Sequence, residues 1–138
     1  MALLCIDVGN THTHWGVVAG RDVRAAGEFP TAELAPAALT ALAQAHGVAG
    51  LAMASVVPAV TAKLLPELGA TGLPFFHLRH DTVRGLGFDY PTPGEVGQDR
   101  LADCVGAQLI VGAPAVIVGI GTATTVDLLT ERGYAGGI

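Results

Sequence analysis

The sequence predicts an α/β fold, a domain of order β-β-β-α-β-α-β-α followed by the first hairpin of a second, truncated domain. Three observations carry this. Short apolar runs of strand length alternate with Ala/Leu-rich stretches of helical spacing, the pattern of strands joined by crossover helices. Of the 138 residues 51% are apolar and 14% charged, enough to build one real hydrophobic core. Residues 5–18, CIDVGNTHTHWGVV, also align with 117–130, IVGIGTATTVDLLT, setting Gly9 on Gly121, Asn10 on Thr122 and Thr13 on Thr125. The chain begins its first hairpin a second time.

Residues 2–7 (ALLCID) are a continuous apolar run ending in Asp7, Gly9-Asn10 supplies a turn, and 13–18 (THWGVV) returns as a second strand. Gly20-Arg21-Asp22 turns the chain into 23–29 (VRAAGEF), completing a three-stranded meander. Residues 35–45 (APAALTALAQA) carry Leu39 and Leu42 at helical spacing and stop at His46-Gly47. Residues 48–57 read as a buried strand. Pro58 suits the first turn of the next helix, which Ser55 can help cap; Val60, Leu64, Leu65 and Leu68 continue it, and Pro66 is expected to kink or end it early. Residues 73–78 form another short strand.

Residues 82–96 (TVRGLGFDYPTPGEV) are rich in Gly and Pro and read as a loop. An amphipathic helix is expected over 97–111, with Leu101, Val105 and Leu109 on one face and Asp99 near its start. Strands at 115–120 and 124–130 flank Gly121-Thr122-Ala123, and 134–138 remain as a Tyr-Ala-Gly-Gly-Ile tail. The expected domains are 1–113 and 114–138. The second hairpin has no helices to cover it, which leaves an open apolar face and sheet edges. The sequence thus reads as the N-terminal half of a longer protein; the alternative is that the last hairpin packs back on the first sheet and closes the domain.

Seven basic against twelve acidic residues give a net charge of -5, and the basic ones are scattered, so no phosphate-backbone footprint for nucleic acid exists. The start MALLCIDVG lacks a basic n-region, and no apolar run approaches the ~18 to 20 residues of a membrane span. A cytoplasmic protein is expected, with no membrane partner. Cys5 and Cys104 lie in apolar segments without metal-ligand or redox spacing and read as buried free thiols.

In Asp7-Val8-Gly9-Asn10-Thr11 the glycine allows a tight turn and close approach of backbone to ligand, while Asn, Thr and main-chain N–H groups can donate to phosphate oxygens. Asp7 at a strand end can hold Mg2+ beside those phosphates. The same turn also occurs in hairpins that bind nothing. Gly121-Thr122-Ala123-Thr124-Thr125 offers a second glycine and more hydroxyls, and two such hairpins facing each other would clamp a polyphosphate.

Through DVGNT (7–11), ASVVP (54–58), DYPTPGEVGQDR (89–100), GTATTVD (121–127) and GG-I (136–138), the sequence resembles the type III pantothenate kinases, of the acetate/sugar kinase, actin and heat-shock chaperone superfamily. The resemblance implies a ribonuclease H-like domain of the actin-like ATPase kind and phosphorylation of pantothenate to 4′-phosphopantothenate by ATP with Mg2+, the first step of coenzyme A synthesis. It also implies a homodimer. By position, Asp7, Val8, Gly9, Asn10, Thr11, His12, Thr13 and His14 form the first phosphate turn, with Asp7 near Mg2+, and Gly121 and Thr122 the second. Tyr90, Gly97, Gln98, Asp99 and Arg100 match the pantothenate-binding segment, and Asp99 the general base. A carboxylate near a helix start suits that role, and Arg100 could hold the pantothenate carboxylate or steady developing charge.

Other readings of the same residues stay open. Asp99 and Arg100 could be an ordinary solvated helix start, Tyr90 a packed loop aromatic, and Asp127 a hairpin hydrogen-bonder. The chain departs from the family at Gly119, where members commonly carry an acidic residue that helps bind K+ or NH4+. The family's other half completes the nucleotide cleft and pantothenate pocket, partly across a dimer interface, so 138 residues alone are expected to be inactive. His12 and His14 point to one face of a strand, yet no third ligand is near in sequence, and they read as strand positions near solvent or phosphate. A kinase of another small hydroxylated acid and a non-catalytic nucleotide-binding or regulatory relative remain as alternatives.

Overall fold

The computed structural model describes residues 1–138. The N-terminal meander is β1 (Leu3–Val8), β2 (His12–Ala19) and β3 (Asp22–Pro30); α1 (Pro36–Ala45) leads to β4 (Gly50–Ser55), and α2 (Pro58–Gly69) to β5 (Phe75–His77). These strands form one sheet in the order β3-β2-β1-β4-β5. The first three pair antiparallel, while β4 and β5 run parallel to β1, as helical crossovers require. Element order in this unit is the one the sequence predicts.

Period-two alternation decides what each strand buries. Leu4, Ile6 and Val8 of β1 face the core, opposite Val17, Trp15 and Thr13 of β2. Leu51 and Met53 of β4 continue the layer, and Leu39 and Ala43 of α1 with Leu64 and Leu68 of α2 seal it, each helix pair four residues apart. The opposite face carries Cys5, Asp7, His12 and His14. Cys5 is therefore only half-buried, not buried as its apolar neighbours suggest.

Pro66 neither ends nor shortens α2, contrary to expectation. The helix runs on to Gly69, and the Ala70 N–H donates to the Pro66 carbonyl at 3.0 Å. Pro66 lies on the exposed side, where solvent can take up the missing bond, while buried Leu64 and Leu68 bracket it and fix the last turn to the core. Ser55 acts near the start of α2 as expected, accepting from the Val57 N–H at 3.2 Å and the Thr61 hydroxyl at 2.7 Å.

The chain divides into two compact units, 1–77 and 78–138, not at the expected 113/114. The reason is α3 (Gln98–Ile110), which packs on an antiparallel sheet of β6 (Ala115–Ile120), β7 (Thr124–Thr130) and β8 (Gly133–Gly137). Leu101 and Cys104 of α3 join Leu86, Leu129 and Tyr134 in that unit's core. Leu109, expected on the apolar face, is 69% exposed, because steps of four drift around the helix and carry it away from Cys104. The expected tail is also a strand. Its pairing with β7 is irregular at Leu128/Leu129, and its three glycines hide it from propensity.

Leu39 is wholly inaccessible, and Leu39→Ala is expected to lower stability by about 2–5 kcal/mol. Urea denaturation measures this; a loss under about 1 kcal/mol would mean that α1 does not seal the core.

Candidate active site

In the first unit, the turn between β1 and β2 closes through the Gly9 N–H, which donates to the His12 carbonyl at 3.0 Å. A Cβ on Gly9 would lie 2.8 Å from that oxygen, so the turn needs glycine. Thr31, just after β3, holds the turn from behind. Its hydroxyl donates to the Gly9 carbonyl at 2.8 Å and its N–H to the Thr11 carbonyl at 2.9 Å. With that proton used, the Thr13 hydroxyl must be the donor in the buried 3.0 Å bond between the two threonines. Nothing in the sequence around Thr31 announces this role, because its partners lie 18 and 22 positions away.

The residues expected to meet phosphate therefore separate by face. Asp7, Asn10, Thr11, His12 and His14 are exposed at or beside the turn. Val8 and Thr13 are wholly buried, so their side chains serve the core and the Thr31 bond. Asp7 pairs in register with His14, and His14 with Glu28, whose carboxylate lies 3.4 Å from the His14 Nδ1. The His12 and His14 ring centroids are 6.4 Å apart, and no group of three His, Cys, Asp or Glu side chains converges on a metal position. The exposed Asp7 carboxylate beside a glycine turn still suits Mg2+ carried by a nucleotide, since that ion keeps its waters and takes few protein ligands.

In the second unit, the turn between β6 and β7 closes by the Gly121 N–H donating to the Ala123 carbonyl at 3.1 Å, leaving Thr122 exposed at its tip. Gly119 pairs with Thr125, and a Cβ at 119 would lie 2.6 Å from the Thr125 hydroxyl oxygen. Any side chain there would have to displace that threonine. The nearby carboxylate is Asp103 of α3, with Oδ2 3.7 Å from that Cβ position.

The segment 89–100 joins the same unit. Gly97 precedes α3 and its carbonyl accepts from the Leu101 N–H at 3.1 Å, which places Gln98, Asp99 and Arg100 in the first turn. Half-buried Asp99 accepts the Arg100 N–H at 2.8 Å, and the positive end of the helix favours its charge. Arg100 Nη2 donates to the Ile138 carbonyl at 2.7 Å, and Nη1 lies 3.3 Å from Asp127 Oδ1. The Tyr134 hydroxyl donates to the same Oδ1 at 3.0 Å. Tyr90 stands edge-on to Tyr134 with ring centroids 5.4 Å apart, and a Cβ on Gly136 would touch the Tyr90 ring at 3.5 Å. Tyr90 and Arg100 thus both reach Tyr134 of β8, and Arg100 also reaches Asp127 of β7, which makes Tyr134 and Asp127 members of the cluster. The adjacent Gly136-Gly137 pair was the available signal, because glycines inside a strand mark close approach.

Burial is the main cause that pushes the Cys104 thiol up to about 11, with the negative fields of Asp127 and Asp103 adding and Arg100 opposing. The Tyr134 hydroxyl is also raised, by burial first and then by its bond to Asp127.

The sequence model of the family "Type III pantothenate kinase" matches residues 3–138. The chain belongs to the type III pantothenate kinase family. It is 32% identical over 138 residues to the type III pantothenate kinase of Methylacidiphilum infernorum, covering 99% of this chain and 49% of that one. Against the type III pantothenate kinase of Thermomicrobium roseum it is 36% identical over 148 residues, covering 98% and 57%. The chain spans about half the length of the curated pantothenate kinases it matches. Among solved structures, a ROK hexokinase from Thermus thermophilus superposes with a TM-score of 0.50 at 17% identity, over 97% of this chain and 47% of that chain. That likeness shows the fold alone, the α/β arrangement that the sequence predicts.

Two outcomes follow for this chain. Thr31→Val keeps shape but strands the Gly9 carbonyl and the Thr13 hydroxyl, so chemical denaturation should register a loss of about 1–3 kcal/mol. Cys104 holds its proton to about 11 in the fold against 9.0 for an ordinary thiol, so its contribution is complete below about 9 and lost as pH rises toward 11. Urea midpoints should fall over that window, and the fall should be shallower in Cys104→Ala.

Proposed function

We propose that the chain carries the phosphate turns and acceptor-binding segment of a kinase that transfers the γ-phosphoryl of ATP to the primary hydroxyl of pantothenate, giving 4′-phosphopantothenate and ADP. The observation that carries this reading is the convergence of Tyr90 and Arg100 on Tyr134 of β8, with Asp99 on the same first turn of α3 as Arg100. Membership of the pantothenate kinase family supports the substrate.

Asp99 is the general base. It takes the hydroxyl proton as that oxygen bonds to the γ-phosphorus and the bridging P–O bond to ADP breaks. Arg100 holds the pantothenate carboxylate or balances charge on the transferring group, and Tyr90 and Gly97 to Arg100 frame the acceptor. The backbone at 8–13, the side chains of Asp7, Asn10, Thr11, His12 and His14, and Gly121 with Thr122 take the nucleotide phosphates. Asp7 would hold Mg2+, which would supply neutralisation of the phosphate charge. Dependence on K+ or NH4+ is weak in this protein, because Gly119 brings no carboxylate.

The working form is the full-length homodimer, in the cytoplasm. Gly119 also favours a second reading, a nucleotide-binding relative without catalysis. One comparison separates them. In the full-length chain, Asp99→Asn should lower kcat by about 10²- to 10⁴-fold and leave ATP binding unchanged. Undiminished turnover would remove Asp99 as base, and an unsubstituted full-length chain that binds ATP but phosphorylates no pantothenate would overturn the kinase reading.

A further inference from the structure

Asp127 is 1% exposed on β7, between Val126 and Leu128, and plays no part in the chemistry described above. Its Oδ1 receives the Tyr134 hydroxyl at 3.0 Å and faces Arg100 Nη1 at 3.3 Å. Its Oδ2 is buried with no hydrogen-bond partner. Burying a charge with one oxygen unpaired is costly, and apolar side chains of similar volume serve stability at least as well. What the carboxylate does provide is direction. With Nη1 at Asp127 and Nη2 on the Ile138 carbonyl at 2.7 Å, the guanidinium plane is fixed at two corners. The Arg100 side chain stays 21% exposed, so part of a locked fork still meets solvent. Gly137 completes the arrangement, since a Cβ there would overlap Asp127 Oδ1.

We propose that Asp127 is a positioning residue that, together with Tyr134, sets the orientation in which Arg100 meets the acceptor substrate. The inference rests on the reading of Arg100 as an acceptor contact. A guanidinium already locked loses less freedom when substrate arrives, so Asp127 acts on acceptor binding and leaves ATP binding alone.

The test is a double-mutant cycle in the full-length chain, with initial rates measured against pantothenate and ATP. Asp127→Asn, which keeps shape and removes charge, should raise the pantothenate KM by about tenfold or more with the ATP KM within about twofold. Arg100→Ala should raise the pantothenate KM at least as much, and Arg100→Ala/Asp127→Asn should be no worse than Arg100→Ala alone. Multiplying effects, or a pantothenate KM unchanged by Asp127→Asn while Arg100→Ala raises it, would overturn the positioning role. A KM untouched by Arg100→Ala would overturn the acceptor reading of Arg100 and this inference with it. If Asp127→Asn does not fold, Tyr134→Phe replaces it in the cycle. It should raise the pantothenate KM by about threefold or more, only when Arg100 is present, and no rise would sink the proposal.

Discussion

The contact between Arg100 and Asp127 adds a polar tie between segments of the second unit that the β7–β8 ladder and the packing of α3 bring together. Arg100 comes from the first turn of α3, Asp127 from β7, Tyr134 from β8, and the Ile138 carbonyl from just beyond β8. Tyr90 then leans on Tyr134 and on the bare backbone of Gly136. A longer side chain at 137 would drive β8 from Asp127, and the segment resting on β8 would lose its floor. The packing of Leu101, Cys104 and Leu129 holds α3 to the sheet, and the polar contact holds the Arg100 side chain of its first turn against β7.

The first unit depends on a simpler rule. Because β1 and β2 alternate, each residue pair in register presents both side chains to one face. Val8 and Thr13 go inward together, and Asp7 and His14 go outward together. The turn between them would still be free to flex, but Thr31 binds the carbonyls of Gly9 and Thr11 from the core side. The tip is thereby held by main-chain atoms on its inner side, leaving exposed groups on the outer side for a ligand. A phosphate turn needs this division, because a rigid loop spends little of its binding energy on ordering itself.

Most of the element order was legible because it depends on near neighbours. The runs ALLCID and GLAMAS, the helical spacing of Leu64 and Leu68, and the Gly9 turn announce themselves within a few residues. The misreadings share one cause. Pro66, Leu109 and the strand β8 depend on what lies across from them, which local pattern does not encode. Pro66 survives because Leu64 and Leu68 hold the turn; Leu109 is exposed because Cys104 and Leu101 set the buried stripe; β8 forms because β7 offers it a ladder. Among the candidate residues, motifs point to Asp99, Arg100, Tyr90 and the two glycine turns, whereas no local pattern points to Thr31 or Tyr134.

By itself the sequence determined where most strands and helices run, which turn must be glycine, and which short segments resemble those of the type III pantothenate kinases. Periodicity and turn stereochemistry act over a few residues, so they can be read without knowing the fold. Only the tertiary structure decided that the units part after His77, that Thr13 serves the core, and that Asp127 is the partner of Arg100. Those outcomes depend on strand register and helix rotation, which are fixed only when distant segments, such as Arg100 and Tyr134 at 34 positions' separation, come together.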